Sequence, residues 1–444
     1  EVLVTHFDST ADWSRLSVPN TIFSLNMPCD SVFLLNCAVQ KYAWGKLGSS
    51  SEVARLCSSG MSGFKVEEGT PYAELWMGTH SKAPSTIVNA EESLSDWLKR
   101  NPSCKGEKVN ATYPIEGQLP YLFKVLSVNK SLSIQAHPTK SHAEMLHQEK
   151  PDKYPDSNHK PEMAIALTKF EGMCGFRPKA EIVSFMKAIS ELRNIVGEAA
   201  CSEYEAAAPG EASNKALQTC FTALMSCDES RVQTELSSLV NKVNSAVTNK
   251  EDTSSLEGEL LLRLNGQFPG DVGCFCIYFL NHMWLDPGQA MFLEANLPHA
   301  YLSGDCIECM ACSDNVVRAG LTPKFKDVPT LCQMLNYSQK SAKENLFPSC
   351  LHPEDDCVSV YDPPVPDFTV AKIQVPGDRG EYTVGAVNSA SILLVIQGEA
   401  EATIARGTLK IQSGSVVFIA AAQTLKLTIL SDQSLLMFRA YCQL

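Results

Sequence analysis

Long apolar runs are scarce in this sequence, and the longest uninterrupted one extends only from Val272 to Leu280. That run is about half as long as a membrane-spanning helix requires. The first residues, Glu1 to Arg15, lack the basic start and apolar stretch of a secretory signal. We therefore expect a soluble, cytoplasmic protein without a membrane partner.

Positive charge is also in deficit, because 37 Lys and Arg residues face 50 Asp and Glu residues, which gives a formal net charge of −13. Nucleic acids and anionic membranes attract basic surfaces, so this balance argues against both partners. An anionic substrate would need a local cluster of Lys and Arg that opposes the overall field.

Several common motifs are missing. The sequence contains no Walker-type Gly-rich loop that ends in Lys-Ser/Thr and no GxGxxG string, so nucleotide binding is not supported by a motif. It also contains no G-x-S-x-G nucleophile elbow, so serine hydrolase chemistry has no support.

The cysteines do not form a dense framework. There are 17, an odd number, scattered from Cys29 to Cys442, and we expect reduced thiols packed as small apolar residues. Cys306, Cys309 and Cys312 have the C-x₂-C-x₂-C spacing of iron–sulfur ligands, but no fourth Cys followed by Pro comes next. No second CxxC pair follows to complete a zinc site, so we interpret this run as a buried β-strand.

Hydrophobic periodicity predicts a mainly β fold with an α-helical insertion. Period-2 patterns dominate before residue 180 and after residue 265, whereas Ile182, Met186 and Ile189 begin a stretch with helical spacing. The Ala- and Glu-rich stretch Gly197–Asn214 is predicted to be a loop between helices. The predicted organisation is an extension at 1–27, poorly structured or preceding a start at Met27, a jelly-roll domain at 28–179 and 266–340, a helical domain at 180–265, and a C-terminal jelly-roll domain at 341–444.

Two segments suggest an internal repeat. Aligning Gly288 with Gly414 places Phe292 on Phe418 and His299 on Leu425. Both segments combine a Gly turn, an apolar strand and a second turn, which is the local pattern of a jelly-roll barrel. The second copy lacks the polar residue at the position of His299, so one barrel would carry chemistry and the other would not.

Four polar residues could bind one metal ion. Gln135 and His137 are two residues apart in a predicted strand, so their side chains share a face. Glu162 and His299 lie at the ends of two other predicted strands. An amide oxygen, two imidazoles and a carboxylate suit Zn²⁺ or another divalent ion with an open position.

Basic residues are concentrated around the same segments. Arg318, Lys324 and Lys326 fall within nine residues of one another. Lys124 and Lys130 flank the approach to Gln135, and Lys160 lies two residues before Glu162. Arg and Lys bind phosphate through charge and hydrogen bonds, although Lys130 and Lys326 are more typical of solvated surface lysines.

Long strings of this sequence resemble those of the type I phosphomannose isomerases, and they look like the strings of animal members. The resemblance extends from about Phe33 to the C-terminus. The matching strings include QKYAWGKLGSSSEVARL from Gln40, PYAELWMGTH from Pro71, LPYLFKVLSVNKSLSIQAHP from Leu119, NHKPEMAIAL from Asn158, LEANLPHAYLSGDCIECMACSDNVVRAGLTPK from Leu293 and YDPPVPDF from Tyr361.

The resemblance implies a zinc-dependent aldose–ketose isomerase with one Zn²⁺ per chain, which interconverts mannose 6-phosphate and fructose 6-phosphate and feeds GDP-mannose synthesis and glycosylation. It implies a cupin or jelly-roll catalytic domain, a helical insertion and a second jelly-roll domain. It assigns the metal to Gln135, His137, Glu162 and His299, makes Arg318 an active-site residue, and places the following residues in the pocket: Lys124, Ser133, Lys160, Tyr301, Glu308 and Lys324.

The implied reaction moves a proton between C1 and C2 and needs a base and a holder of enediolate charge. Arg318 is suited to developing oxyanion or phosphate charge, Lys124 and Lys324 to phosphate recognition, and Ser133 to hydrogen bonding. The proton carrier is Lys160 or Glu308, and the sequence leaves that choice open.

Two other functions are compatible with parts of this sequence. A jelly-roll protein that only binds a metal or a sugar phosphate would have no need of a proton carrier. A metal-dependent oxygenase would more typically use two His and one carboxylate around iron, which leaves Gln135 unexplained. We expect a monomer that acts on a small sugar phosphate, although no sequence feature specifies the oligomeric state.

Overall fold

The structure is a computed structural model that describes residues 31–405, 407–430 and 432–444. The predicted extension at 1–27 and the proposed start at Met27 lie outside the described residues. Among the described helices, none is both long enough and apolar enough to cross a bilayer.

The first part of the described chain alternates short strands with short helices. Its elements are β1 (Val32–Asn36), β2 (Ala38–Gln40), β3 (Lys46–Leu47), α1 (Glu52–Gly60), β4 (Pro71–Tyr72), β5 (Glu74–Met77), β6 (Thr86–Ile87), α2 (Leu94–Arg100), α3 (Glu107–Thr112), β7 (Tyr121–Val128), β8 (Ile134–Ala136), α4 (Lys140–Glu149), β9 (Glu162–Ala166) and β10 (Phe170–Phe176). The strand β7 is buried along its whole length.

A helical region follows, as the change of period predicts. Its elements are α5 (Lys179–Ala188), α6 (Ser190–Val196), α7 (Glu198–Ala206), α8 (Glu211–Met225), α9 (Glu229–Thr248), α10 (Gly258–Gln267) and α11 (Gly273–Cys276). The predicted loop at Gly197–Asn214 is wrong, because α7 and the start of α8 occupy most of it. Ala and Glu are strong helix formers, and only the Pro209-Gly210 break separates the two helices.

The rest of the chain returns to strands. Its elements are β11 (Leu280–Leu285), β12 (Ala290–Leu293), β13 (His299–Ala311), β14 (Val317–Gly320), α12 (Val328–Met334), β15 (Cys350–His352), β16 (Asp355–Tyr361), β17 (Thr369–Val375), β18 (Glu381–Val384), β19 (Ser391–Gln397), β20 (Glu399–Ile404), β21 (Gly407–Gln412), β22 (Val416–Ile419), β23 (Leu425–Ile429) and β24 (Leu435–Tyr441). The predicted fold class, mainly β with a helical insertion and two jelly-roll parts, is confirmed.

The long strand β13 joins two layers of the first β region. Its first half pairs with β10 and β8, and its second half pairs with β7 and β9. Gly304 lies between the halves with φ +107°, where a Cβ atom would come within 2.6 Å of the Lys169 carbonyl oxygen. Only glycine fits this bend without a steric clash. The bend lets one strand take part in both layers.

Alternation along these strands separates an outer apolar face from an inner polar face. In the first layer, Ile134, Ala300 and Val317 pack into a core shared with the helical region. Their neighbours Gln135, His299, Tyr301 and Arg318 point to the opposite face, because successive residues of a strand alternate.

The second layer repeats this arrangement against another core. Phe123, Met163 and Ile307 pack outward in a core shared with the C-terminal strands. Lys124, Glu162 and Glu308 therefore face inward, toward the polar face of the first layer. Both layers are backed by apolar cores, so the inner polar side chains are held by rigid strands.

The C-terminal strands form a sandwich. Eight of the described strands make one sheet in the order β15-β16-β17-β24-β19-β22-β1-β6, and four make a second sheet in the order β18-β23-β20-β21. The larger sheet includes β1, whose Val32 pairs with Ile419. The domain limits stay a prediction, and this pairing ties the start of the described chain to the C-terminal part.

The strand bounds agree with the alignment of the two segments that suggest an internal repeat. Gly288 and Gly414 both have positive φ angles, 88° and 83°. In each copy a four-residue strand begins two residues later, β12 in one case and β22 in the other. The next strand of each copy then begins at the aligned pair His299 and Leu425.

Candidate metal centre and active site

Three predicted metal ligands converge inside the first β region. Glu162 Oε2 lies 3.4 Å from His137 Nε2 and 3.4 Å from His299 Nε2. All three residues are buried, and among the described residues these three atoms have no hydrogen-bond partner. Unpaired buried polar atoms are costly, so a shared cation is the simplest group that satisfies all three.

The two imidazole rings are held in the tautomer that a metal needs. His137 Nδ1 lies 2.7 Å from the Asn315 carbonyl oxygen, and His299 Nδ1 lies 2.9 Å from the Leu297 carbonyl oxygen. A carbonyl only accepts, so each Nδ1 carries the proton that it donates. In the neutral ring the lone pair is therefore on Nε2, the nitrogen that faces Glu162.

The charges of this cluster also suit a cation. Burial lowers the pKa of His137 to about 4, against the opposing charge of Glu162. Burial disfavours the ionised form of Glu162, but the positive charge of Lys160 opposes this effect and holds the pKa of Glu162 well below the usual range. Neutral imidazoles and an ionised carboxylate are the forms that bind metal.

Gln135 lies beside this trio through strand pairing. It is the register partner of His299 on one side and of Arg318 on the other. Directly paired residues of neighbouring strands point to the same face, so the amide shares the inner face with His299. Gln135 is a fourth candidate ligand from an adjacent strand.

Lys160 is next to the metal cluster. Its ammonium lies 3.2 Å from Glu162 Oε1, the carboxylate oxygen that does not face the histidines. Its side chain is 12% exposed, so the charge lies beside the metal cluster and is largely withdrawn from water. The assignment of Lys160 to the pocket stays a prediction.

Glu308 belongs to a second charged group on the inner face. Lys124 Nζ lies 2.9 Å from Glu308 Oε2 and 3.5 Å from Glu74 Oε2. Glu74 also accepts a hydrogen bond from Trp76 Nε1 at 2.5 Å. All four side chains are buried, and one cation therefore serves two carboxylates.

Burial and the charges of this group shift the pKa values of Glu308 and Lys124. Burial raises the pKa of Glu308, the charge of Lys124 opposes that rise, and the nearby carboxylates of Glu162 and Glu74 add to it. Burial works against a charged Lys124, but Glu308 and Glu74 hold its pKa above the usual range. A carboxyl group with a raised pKa is suited to proton transfer near neutral pH.

Sequence reasoning did not single out Glu74 and Trp76. The available signal was a carboxylate inside the otherwise apolar strand segment ELWM, which has to find a partner when the strand is buried. Its partner Lys124 comes from the neighbouring strand β7, and that pairing is not visible in one sequence.

The remaining predicted pocket residues occupy different surroundings. Tyr301 is buried on the inner face, and its hydroxyl has no hydrogen-bond partner among the described residues. Ser133 directly precedes β8 and is partly exposed. Lys324 is exposed and lines a cavity of about 620 Å³ together with Lys130 and Lys326.

The cysteine run is part of β13, as interpreted from its sequence. Cys306 and Cys309 are both buried, and they belong to different apolar cores. A spacing of three residues places them on opposite faces of a strand, so they cannot share one cluster. The described cysteines, from Cys37 to Cys442, are free thiols.

Comparison with known families gives three matches along the chain. Residues 32–179 match the catalytic domain of type I phosphomannose isomerase, residues 195–280 match its helical insertion domain, and residues 359–414 match its C-terminal part.

Individual proteins are similar over nearly the full length. The mannose-6-phosphate isomerases of Bos taurus and Homo sapiens are 51% and 50% identical over 425 residues, covering 94% of this chain and 100% of theirs. Among solved structures, mannose 6-phosphate isomerase from Salmonella typhimurium bound to fructose 6-phosphate and zinc is 31% identical, with a TM-score of 0.79. That match covers 93% of this chain and 100% of the other.

Proposed function

This chain belongs to the type I phosphomannose isomerases, and from that premise we propose that it interconverts mannose 6-phosphate and fructose 6-phosphate with one zinc ion per chain. The observation that carries the proposal is the buried convergence of His137 Nε2, Glu162 Oε2 and His299 Nε2 at the centre of the inner face. Gln135 completes the proposed ligand set through its pairing with His299.

These residues fit zinc, whose tetrahedral sites are built from nitrogen and oxygen donors. When bound, zinc supplies Lewis acidity that polarises sugar oxygens and stabilises negative charge. The chain's own part is to present two imidazole nitrogens and one carboxylate, already desolvated and oriented. Lys160, paired with Glu162, adds positive charge beside the same place.

For the proton transfer between C1 and C2 we assign Glu308 as the base. Its carboxylate faces the pocket, and burial raises its pKa toward the range where a base works efficiently. Lys160 is the less suitable candidate, because its ammonium is already engaged in an ion pair with Glu162. Lys160 would instead hold the negative charge of the enediolate.

Lys124 stays a predicted pocket residue, and its contacts support a more specific role. Its ammonium already serves Glu308 and Glu74, so little of its charge remains for a phosphate group. We assign Lys124 to the orientation and charge state of Glu308. The same reasoning makes Glu74 a support for Lys124.

The substrate oxygens would be held by residues at the edges of the inner face. Arg318 is paired with Gln135 across the β14–β8 ladder and is partly buried. This position suits a guanidinium that donates hydrogen bonds to anionic oxygens. The unpaired hydroxyl of Tyr301 and the hydroxyl of Ser133 offer hydrogen bonds. Lys324, in a cavity with two further lysines, is the proposed phosphate contact.

Family membership and charge support a further proposal about the setting of the reaction. We propose a cytoplasmic monomer that supplies mannose 6-phosphate for GDP-mannose synthesis and glycosylation. The net charge of −13 supports the absence of nucleic-acid and membrane partners.

The test is an assay of mannose 6-phosphate conversion before chelation, after chelation, and after zinc is returned. We expect activity to disappear with the chelator and to return with zinc. Conversion run in deuterated water should also label the substrate at the carbon that exchanges its proton. A folded, zinc-loaded sample without turnover would reject the isomerase, and oxygen uptake with iron would favour an oxygenase.

A further inference from the structure

The two histidines of the metal centre depend on different kinds of support. His299 donates to the Leu297 carbonyl, two residues away in the same segment. His137 donates instead to the Asn315 carbonyl, 178 positions later in the chain. Asn315 belongs to the connection 312–316 between β13 and β14, which has no regular secondary structure.

Such a connection needs an anchor if its carbonyl is to stay in place, and Asp156 is that anchor. Asp156 Oδ1 accepts hydrogen bonds from Ser313 Oγ at 2.8 Å and from Asn315 Nδ2 at 3.2 Å. Its second oxygen, Oδ2, accepts from the Asp314 backbone N–H at 2.7 Å. One carboxylate therefore binds three consecutive residues of the connection.

Neighbouring residues add hydrogen bonds to those of Asp156, and together they form a clamp on residues 312–315. Asn315 Nδ2 also donates to the Asp156 carbonyl at 2.6 Å and to the Asn158 carbonyl at 2.9 Å. Asn158 in turn donates from its side chain to the Cys312 carbonyl at 2.9 Å. Asn315 is fully buried, so these contacts are shielded from competing water.

We propose that Asp156 is a positioning residue for the metal centre, which acts on zinc through Asn315 and His137. By fixing the 313–315 segment, it keeps the Asn315 carbonyl in line with His137 Nδ1–H and the Nε2 lone pair in line with Glu162. Outer hydrogen bonds of this kind orient a ligand ring and set its tautomer. His299 does not depend on this clamp, because its acceptor is local.

The inference depends on the proposed zinc centre, and Asp156→Asn tests it with little change of volume. The Asn side chain keeps one oxygen acceptor and has an NH₂ donor in place of the other oxygen. If the NH₂ group takes the place of Oδ2, the Asp314 backbone N–H loses its acceptor. Ser313→Ala is the milder companion, which removes one hydroxyl contact. Asp152→Asn is the matched control, because Asp152 lies in the same segment with its side chain 71% exposed.

The first readout is the zinc dissociation constant, measured by competition with a chromogenic chelator. We expect Asp156→Asn to bind zinc about 10- to 100-fold more weakly, Ser313→Ala to show a smaller loss, and Asp152→Asn to match the wild type. Thermal unfolding of the zinc-free proteins should give one cooperative transition for all four, with at most a small decrease of the midpoint for Asp156→Asn.

The second readout is proton NMR of the cobalt(II)-loaded protein, in which each ligand histidine gives an exchangeable, strongly shifted Nδ1–H signal. We expect Asp156→Asn to lose one of the two signals, through faster exchange at His137, and to keep the other. Two retained signals with unchanged zinc affinity would overturn the inference, as would loss of both signals with a lower zinc-free unfolding midpoint. A wild-type protein that binds no zinc would instead overturn the metal centre itself.

Discussion

Lys124 and Glu308 face each other across the β7–β13 ladder, with 2.9 Å between the ammonium nitrogen and one carboxylate oxygen. The pair is buried, and Glu74 approaches the same ammonium from the other side. The orientation of the Glu308 carboxylate is therefore fixed, and its pKa depends on the neighbouring charges. These two properties are required of a base that takes a proton from one carbon and returns it to the next.

Glu308→Gln keeps the shape of this group and removes its basicity. We expect kcat to fall about 10²- to 10⁴-fold, the range that general base catalysis contributes, while the zinc affinity stays within about twofold of the wild type. Steady-state kinetics and zinc titration measure both quantities. Lys160→Met is the comparison, and a larger kcat loss there than in Glu308→Gln would transfer the base to Lys160.

Lys124→Met should move the pH dependence of the reaction. Lys124 opposes the rise that burial causes in the pKa of Glu308, so its removal raises that pKa further. Because the base must be ionised, the acid limb of the kcat/KM profile should move to higher pH. The profile is measured from pH 5 to pH 9, and an unmoved acid limb would separate Lys124 from the ionisation of Glu308.

The candidate metal ligands could be proposed from the sequence because each combines a metal-binding group with a position in or at the end of a predicted strand. Gln135 and His137 are two positions apart, and Glu162 and His299 lie at the ends of apolar strands. The repeat that aligns Gly288 with Gly414 could also be proposed, since turn, strand and turn follow one another locally.

Pairings over long chain distances were not accessible. Asp156 and Asn315 are far apart in the chain and meet only because β13 and β14 return beside β9 and β8. Glu74 similarly reaches Lys124 through a strand pairing that a single sequence does not display. The helix α7 was missed because its few apolar residues, Cys201 and Tyr204, become buried only against the neighbouring helices.

Acid should destabilise the zinc-free protein through His137. Its pKa falls from 6.5 to about 4 on folding, so between these values the unfolded chain binds more protons and stability declines as the pH falls. The full shift corresponds to about 3 kcal/mol. Urea unfolding at pH 7 and pH 4.5, in chelator, should show this loss in the wild type and in His142→Gln, and a clearly smaller loss in His137→Gln.

His282 should show the opposite pH dependence, because it connects two carboxylates at the junction of the helical region and the strands. His282 Nε2 lies 2.7 Å from Glu171 Oε1, and its Nδ1 lies 3.8 Å from Glu257 Oε2. Glu171 is fully buried and also accepts from Arg263 Nη1 at 2.7 Å and from Ser303 Oγ at 2.8 Å.

Burial works against a charged His282, but Glu171 and Glu257 raise its pKa above 6.5. A raised folded-state pKa contributes stability that is fully present below pH 6.5 and is lost as the pH rises through the folded value. His282→Gln should therefore cost about 2 kcal/mol at pH 6, the scale of a hydrogen bond between charged groups, and much less at pH 9. Urea unfolding at both pH values measures the difference, with His142→Gln as the control. An equal cost at pH 6 and pH 9 would show that His282 supports this junction by packing rather than by charge.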